Sequence, residues 1–216
     1  MPGVGAVVVA AGRGDRFGAA KQFLTLDGTR LVDRAVAACA AVADAVVVVL
    51  PAGATWDGPP VAAPVVGGAT RSASVRAGLD ALVALDPATE IVIVHDAARP
   101  LAGRALFDAV VAAVRDGADA AVPALPVADT IKRVEGRRVV ATLDRTGLVA
   151  VQTPQAFRTA ALRAAHAADG EATDDAALVE AHGGAVVWVP GSPRNFKITD
   201  PADLDRAAAL LVPEPH

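Results

Sequence analysis

Two hydrophobic periods alternate along this chain. Unbroken apolar runs rich in Val occupy residues 4–10, 45–50 and 91–94, and runs of that kind belong to strands of parallel sheets covered on both faces. Between the first two, residues 31–42 place Val32, Ala35, Val36 and Cys39 on one stripe, which predicts an amphipathic helix. Further helices are expected from the turn at Gly67-Gly68 to residue 85, over 104–115, over 159–168 and from Thr173-Asp174-Asp175 onward. Shorter strands are expected at Val65-Val66, 120–123 and 185–189. A last helix is signalled by Asp200 as N-cap, Pro201 at the first position and Asp203 in the first turn. This βα rhythm predicts an α/β fold, a three-layer αβα sandwich around a mostly parallel twisted sheet.

The rhythm breaks at residues 126–150, where 127–134 and 139–145 read as two alternating strands about a turn at Glu135-Gly136-Arg137. The hairpin carries Lys132, Arg133, Arg137, Arg138 and Arg145. A two-stranded ribbon is marginally stable alone, so this protruding β-arm is expected to pack on another body, and a second subunit is the natural candidate. Residues 52–64, rich in Pro, Gly and Ala, read as an irregular connection with Trp56 packed on the domain surface. The chain, 1–216, is expected to form one domain with the arm as its appendage.

Composition sharpens this picture. With 53% hydrophobic but only 3% aromatic residues, the core must be built mainly from Ala, Val and Leu, which suits close packing of helix on sheet. A net charge of -4 and a pI near 5.5 give no general basic surface, so nucleic acid is not an expected partner. Cys39 is alone, which excludes an internal disulfide and a cysteine metal cluster. No apolar run reaches the roughly 18 residues of a spanning helix, and Met1-Pro2-Gly3 enters the first strand without a charged leader, so a soluble cytoplasmic protein without membrane contact is expected. Of 20 basic residues only Lys21, Lys132 and Lys197 are lysines; each lies in a segment singled out on other grounds.

The richest chemistry follows the first strand. From Ala10-Ala11-Gly12 the chain runs through Arg13, Gly14, Arg16, Gly18 and Lys21, a loop in which glycines let successive N–H groups face one concavity beside positive charge. A polyphosphate site fits that pattern. A strict dinucleotide fingerprint would need glycine where Phe17 stands, and a Walker loop would need Ser or Thr after the lysine, where Gln22 stands. The loop alone also reads as a tight turn with solvated arginines. At Gly67-Gly68 the chain can approach a flat ligand such as a nucleobase, with Ser74 offering a hydroxyl, although a capped helix start accounts for the segment equally. The strand at 91–94 ends in His95-Asp96-Ala97-Ala98-Arg99-Pro100, at the carboxyl edge where open α/β sheets bind ligands. Asp96 there suits Mg²⁺ as a hard oxygen ligand, or caps the following turn with an Arg partner; His95 reads as structural.

Taken together, Ala10-Ala11-Gly12 with Lys21-Gln22, Gly67-Gly68 with Arg71 and Ser74, and His95-Asp96-Ala97-Ala98-Arg99-Pro100 begin a series of motifs. Asp129-Thr130-Ile131-Lys132, Thr153-Pro154-Gln155, Thr173-Asp174-Asp175 and Asn195-Phe196-Lys197-Ile198-Thr199 complete it. In content and order the series resembles the 2-C-methyl-D-erythritol 4-phosphate cytidylyltransferase family over residues 4–211.

The resemblance implies a Rossmann-like nucleotidyltransferase fold and a Mg²⁺-dependent homodimer of the non-mevalonate isoprenoid pathway. The reaction it implies joins CTP and methylerythritol phosphate to give the cytidine diphosphate adduct and pyrophosphate. By position, Ala10, Ala11, Gly12 and Gly14 would shape the nucleotide cradle, Arg16 and Lys21 would bind the triphosphate, and Gly68 and Ser74 the cytosine. Asp96 would hold the Mg²⁺ and Lys197 reach the α-phosphate. Arg99 and Thr153, with Thr130 and Arg145 from a partner's arm, would bind the polyol phosphate. Val9 stands where many relatives have Pro, Ala69 where an acidic residue is frequent, and the segment between Phe17 and Lys21 is short for the family. Alternatives are a ribitol 5-phosphate cytidylyltransferase of the same fold and a nucleotide-binding relative without turnover.

Overall fold

The structure is a computed structural model that describes residues 3–12, 20–167, 172 and 174–211. In order the chain forms β1 (Gly3–Val9), a 3₁₀ turn (Lys21–Phe23), β2 (Thr25–Leu26), β3 (Thr29–Arg30), α1 (Leu31–Ala40), β4 (Ala45–Leu50), β5 (Ala63–Val66) and α2 (Arg71–Leu85). It continues with β6 (Thr89–Asp96), α3 (Arg104–Arg115), β7 (Ala120–Pro126), β8 (Lys132–Glu135), β9 (Arg138–Thr142), β10 (Val149–Val151) and β11 (Gln155–Arg158). Helices α4 (Thr159–Ala167) and α5 (Asp175–Ala181), strand β12 (Val186–Pro190) and helix α6 (Pro201–Ala209) complete the described chain.

Strands β5, β4, β1 and β6 lie side by side and parallel. The sheet then continues through β11, antiparallel to both β6 and β7, while β7 pairs in parallel with β12 and receives β10 on its distal half. Residues of alternate parity on each strand face opposite sides. Val8, Val48 and Ile93 meet α1 and α3 on one face; Val7, Val49 and Val94 meet α2, α4 and α5 on the other. The mostly parallel αβα sandwich expected from the periodicity is therefore borne out. The thiol of Cys39 lies in the first of these cores, and burial pushes its pKa up.

The hydrophobic pattern fails at two places, each for a physical reason. Residues 155–158 form a full sheet strand although their sequence, Gln-Ala-Phe-Arg, shows no alternation, because Gln155, Ala156 and Phe157 are all buried between β6 and β7. The hairpin is shorter than its pattern. Its ladder holds only 132–135 against 138–142, with an irregularity at Arg133/Val134, while 149–151 leave it to pair with the end of β7.

Register decides where a site can form. Val9 on β1 aligns with Val49 on β4 and with Asp96 on β6, so three strands end at one edge. The chain passes from β1 outward to β4 and β5, then returns through α2 to β6 on the other side of β1. Such reversals open a crevice at the strands' carboxyl ends. Helix α2 approaches that edge closely because Gly78 faces the sheet: a Cβ there would lie 2.5 Å from Val7 Cγ1 and 2.8 Å from Val49 Cγ2. Gly78→Val is therefore expected to lower stability by at least about 1–3 kcal/mol through overpacking, read as a lower urea midpoint at unchanged slope.

Candidate active site

Beyond β1 the chain carries Ala10, Ala11 and Gly12 along the crevice, and the Ala10 amide still donates to Val49 O (2.8 Å). Buried Gln22 donates from Nε2 to Gly12 O at 3.1 Å and so ties the start of the loop to the 3₁₀ turn that presents Lys21. Opposite stands the turn between β5 and α2. A Cβ on Gly67 would lie 2.4 Å from Ala11 Cβ, so the two loops meet where no side chain fits. Thr70 caps α2 by accepting from the Ala73 amide, and Ser74, in the first turn, donates its hydroxyl to Thr70 O (2.9 Å).

At the end of β6, Asp96 is the charged centre. Its Oδ2 accepts from Lys197 Nζ at 2.7 Å, and its Oδ1 lies 3.6 Å from Arg71 Nε. Burial is the largest single influence and would raise the carboxyl's pKa, but Lys197, Arg71 and Arg99 together hold it well below the usual carboxylate range. Arg71 in turn pairs through Nη1 with Asp175 Oδ2 at 2.7 Å, and the other oxygen of that fully buried carboxylate lies 3.0 Å from His166 Nε2. Burial opposes the charge on Arg71, yet Asp175 and then Asp96 leave its pKa raised.

Two cavities meet at this cluster. The larger, about 540 Å³, is lined by Ala10, Ala11, Gly12, Lys21, Gly68 and Ser74 on one side and by Asp96, Lys197 and Arg71 on the other. The smaller, about 270 Å³, is lined by Arg99, Gln152, Thr153, Gln155 and Asp174 and again by Asp96, Lys197 and Arg71. Its frame is hydrogen-bonded throughout. Thr153 Oγ1 accepts from the Asp96 amide (3.0 Å) and pairs with His95 Nδ1 (3.1 Å), while His95 Nε2 lies 3.2 Å from Arg99 O. Burial pushes the His95 pKa down to about 4, which fits the structural role expected of it. Arg99 donates to Asn195 O at 2.7 Å and keeps a buried Nε without a protein partner among the described residues.

Lys197 reaches Asp96 from across the chain because its segment is clamped on both sides. The Ile198 amide donates to Ala98 O (2.8 Å), and Lys21 Nζ donates to Ile198 O (2.7 Å). Asp203 Oδ2 accepts from the Thr199 amide (2.7 Å), the Thr199 hydroxyl (2.6 Å) and the Asp200 amide, closing the capping box of α6. Arg206 stacks on Phe196 at 4.2 Å from the ring centroid.

The fold thus brings together Ala10, Ala11, Gly12, Lys21, Gly68, Ser74, Asp96 and Lys197 at the larger cavity, and Arg99 and Thr153 with Asp96 and Lys197 at the smaller. Thr153 borders its cavity with a hydroxyl committed to the frame. Thr130 and Arg145 are exposed on the arm and line neither cavity. Gly14 and Arg16 lie outside the described residues. Sequence reasoning gave no role to Arg71, although an Arg opening a helix just after a glycine turn is a readable signal. Asp175 falls in the Thr173-Asp174-Asp175 motif, but nothing in the sequence paired it or His166 with Arg71, because only the fold buries them beside it. Among the described residues no group of three His, Cys, Asp or Glu side chains converges as a metal cage.

An α/β sheet whose strand ends hold two cation-lined cavities sharing one carboxylate fits the nucleotidyltransferase class. The family model for 2-C-methyl-D-erythritol 4-phosphate cytidylyltransferase matches residues 4–212, and the chain belongs to that family. The enzyme of that name from Nocardia farcinica is 49% identical over 95% of this chain and 93% of its own length. The one from Streptomyces avermitilis is 47% identical over 95% and 90%. A bifunctional enzyme IspD/IspF of Anaeromyxobacter dehalogenans is 49% identical over 95% of this chain, which spans only 56% of that longer protein. The crystal structure of the cytidylyltransferase from Thermus thermophilus superposes with a TM-score of 0.80 at 42% identity, covering 94% of this chain and 96% of that one.

The clamp on the Lys197 segment can be tested apart from turnover. Asp203→Ala removes three hydrogen bonds from one carboxylate, and a loss of about 1–2 kcal/mol is expected from the broken cap. Urea unfolding reads the loss, and hydrogen exchange should show the Thr199 amide losing its protection.

Proposed function

We propose that this chain works as a single nucleotidyltransferase domain that transfers a cytidylyl group from CTP to 2-C-methyl-D-erythritol 4-phosphate, giving 4-diphosphocytidyl-2-C-methyl-D-erythritol and pyrophosphate. The observation that carries this reading is the pair of cavities joined at Asp96, Lys197 and Arg71. The larger, with its small-residue walls, suits the nucleotide, and the smaller, bordered by Arg99, suits a phosphorylated polyol. Their junction is where the two reacting phosphates would meet.

In the reaction an oxygen of the acceptor's phosphate attacks the α-phosphorus of CTP. A new P–O bond forms there as the bond to the β-phosphate breaks, and pyrophosphate leaves with the electron pair. The nucleophile is already ionised at neutral pH, so the demand on the protein is to bring two anions together and stabilise the charge on the transferring group. Lys197 stands at the junction for that purpose, and Lys21, held toward the same segment by Ile198 O, faces the triphosphate side. Arg16 is assigned the departing pyrophosphate, and Gly14 the cradle with Ala10, Ala11 and Gly12. Gly68 and Ser74 are assigned the cytosine, and Arg99 and Thr153 the acceptor.

Mg²⁺ fits this donor set. Asp96 is the carboxylate among the described residues lining the larger cavity, and Mg²⁺ commonly takes one or two carboxylates with phosphate oxygens and water. Bound there, it would neutralise charge on the triphosphate. The arm is assigned to a homodimer in which Thr130 and Arg145 complete the partner's acceptor site. In support, both residues are exposed, as are Val134 (56%) and Val139 (57%) on the arm. Among the described residues no helix is long and apolar enough to cross a membrane, and we assign the enzyme to the cytoplasm.

With CTP and Mg²⁺, pyrophosphate release should rise with methylerythritol phosphate and not with ribitol 5-phosphate; a rise with ribitol 5-phosphate alone would reassign the acceptor, and release with neither would sink the reading. Asp96→Ala should abolish release, and Lys197→Ala should lower kcat by about 10²–10³. Asp96→Ala and Arg145→Ala proteins, each poor alone, should regain partial turnover once subunits exchange. Mixed dimers that remain inactive would place the arm in its own subunit's site.

A further inference from the structure

Arg71 is held in a way that Lys197 is not. Lys197 meets Asp96 from a side chain that is 40% exposed. Arg71 is gripped from behind by Asp175, a fully buried carboxylate whose second oxygen faces the buried His166. Asp175 is the first residue of α5 and His166 lies near the end of α4, so two packed helices fix the pair. A buried carboxylate is costly unless both its oxygens are matched, and here one meets a guanidinium and the other an imidazole. A guanidinium has five N–H donors in a planar fork. Anchoring one edge on Asp175 turns the remainder toward Asp96 and the two cavities, both of which Arg71 lines.

We infer that Arg71 is a further phosphate-contacting residue at the junction of the two cavities, and that Asp175, backed by His166, is the positioning residue that aims it; the assignment of those phosphates to CTP and its acceptor rests on the proposed function. Asp175 keeps the guanidinium in place whichever ligand Asp96 engages. Anionic ligands then meet a cation whose orientation is already set, where a flexible lysine would have to be ordered on binding.

The test uses two readouts, kcat with CTP and methylerythritol phosphate, and the affinity for inorganic tripolyphosphate by calorimetry. Arg71→Ala should lower kcat by about 10²-fold and weaken tripolyphosphate by about tenfold. Asp175→Asn should move both in the same direction with Arg71 still present. Millimolar guanidinium, far below denaturing levels, should restore part of the turnover and tripolyphosphate binding of Arg71→Ala but not of Arg71→Ala/Asp175→Asn, because the free ion needs the Asp175 carboxylate to dock. Near-UV circular dichroism and a urea midpoint establish that each variant is folded. If Asp175→Asn does not fold, His166→Leu against His166→Gln replaces it: kcat should drop in the first and recover in the second, which keeps a donor toward Asp175. Arg71→Ala within about threefold of the parent in both readouts would overturn the contact. Equal guanidinium rescue of the single and double variants, or equal kcat in the two His166 variants, would overturn the positioning. A parent protein without turnover would sink the proposed reaction, while the tripolyphosphate affinities and their rescue would still decide the role of Arg71.

Discussion

A carboxylate buried at the end of a central strand needs positive charge around it, and the rest of this site is arranged by that requirement. Removing an ion from water costs on the order of several kcal/mol even after the protein relaxes. Asp96 meets that cost with Lys197 at 2.7 Å and Arg71 Nε at 3.6 Å. Each partner comes from a different part of the chain. The strand end, the α2 start and the segment before α6 must all arrive together for the charge to be tolerated.

Charge clusters of this kind are weak sources of stability, since well-packed apolar side chains of the same volume often serve the fold as well. Here the cost coincides with two open cavities. The cations that balance Asp96 are also those a pair of approaching phosphates would meet, so the arrangement fits ligand recognition better than stabilisation. The surrounding frame is correspondingly rigid. Gln22 holds Gly12 O, Asn195 Nδ2 holds Thr153 O (2.9 Å), and Asp203 gathers three donors at the entry to α6. These bonds fix the loops that carry the cavity walls before any ligand arrives.

Family membership and the geometry reinforce one another at particular residues. The motif series groups Asp96, Lys197, Lys21 and Gly68 in one site, and the fold puts all of them on one cavity. Arg99 and Thr153 separate into the second cavity. Thr153 also turns out to be part of the frame, its hydroxyl joining His95 to the Asp96 amide. The arm residues Thr130 and Arg145 stand apart from both cavities.

The sequence by itself determined the layers, because buried parallel strands leave unbroken Val runs and helices leave a stripe such as Val32, Ala35, Val36 and Cys39. It also determined the last helix, since capping is a local matter of Asp200, Pro201 and Asp203. Motif order was enough to group Lys21, Asp96 and Lys197 in one site, and the fold places all three on one cavity. Tertiary structure alone decided that residues 155–158 slip between β6 and β7, that Arg71 is anchored by Asp175 and His166, and that the site is two cavities with a shared charged wall. The reason is sequence separation. Asp175 lies 104 positions from Arg71 and Lys197 lies 101 from Asp96, and no local period or turn propensity carries information over that span.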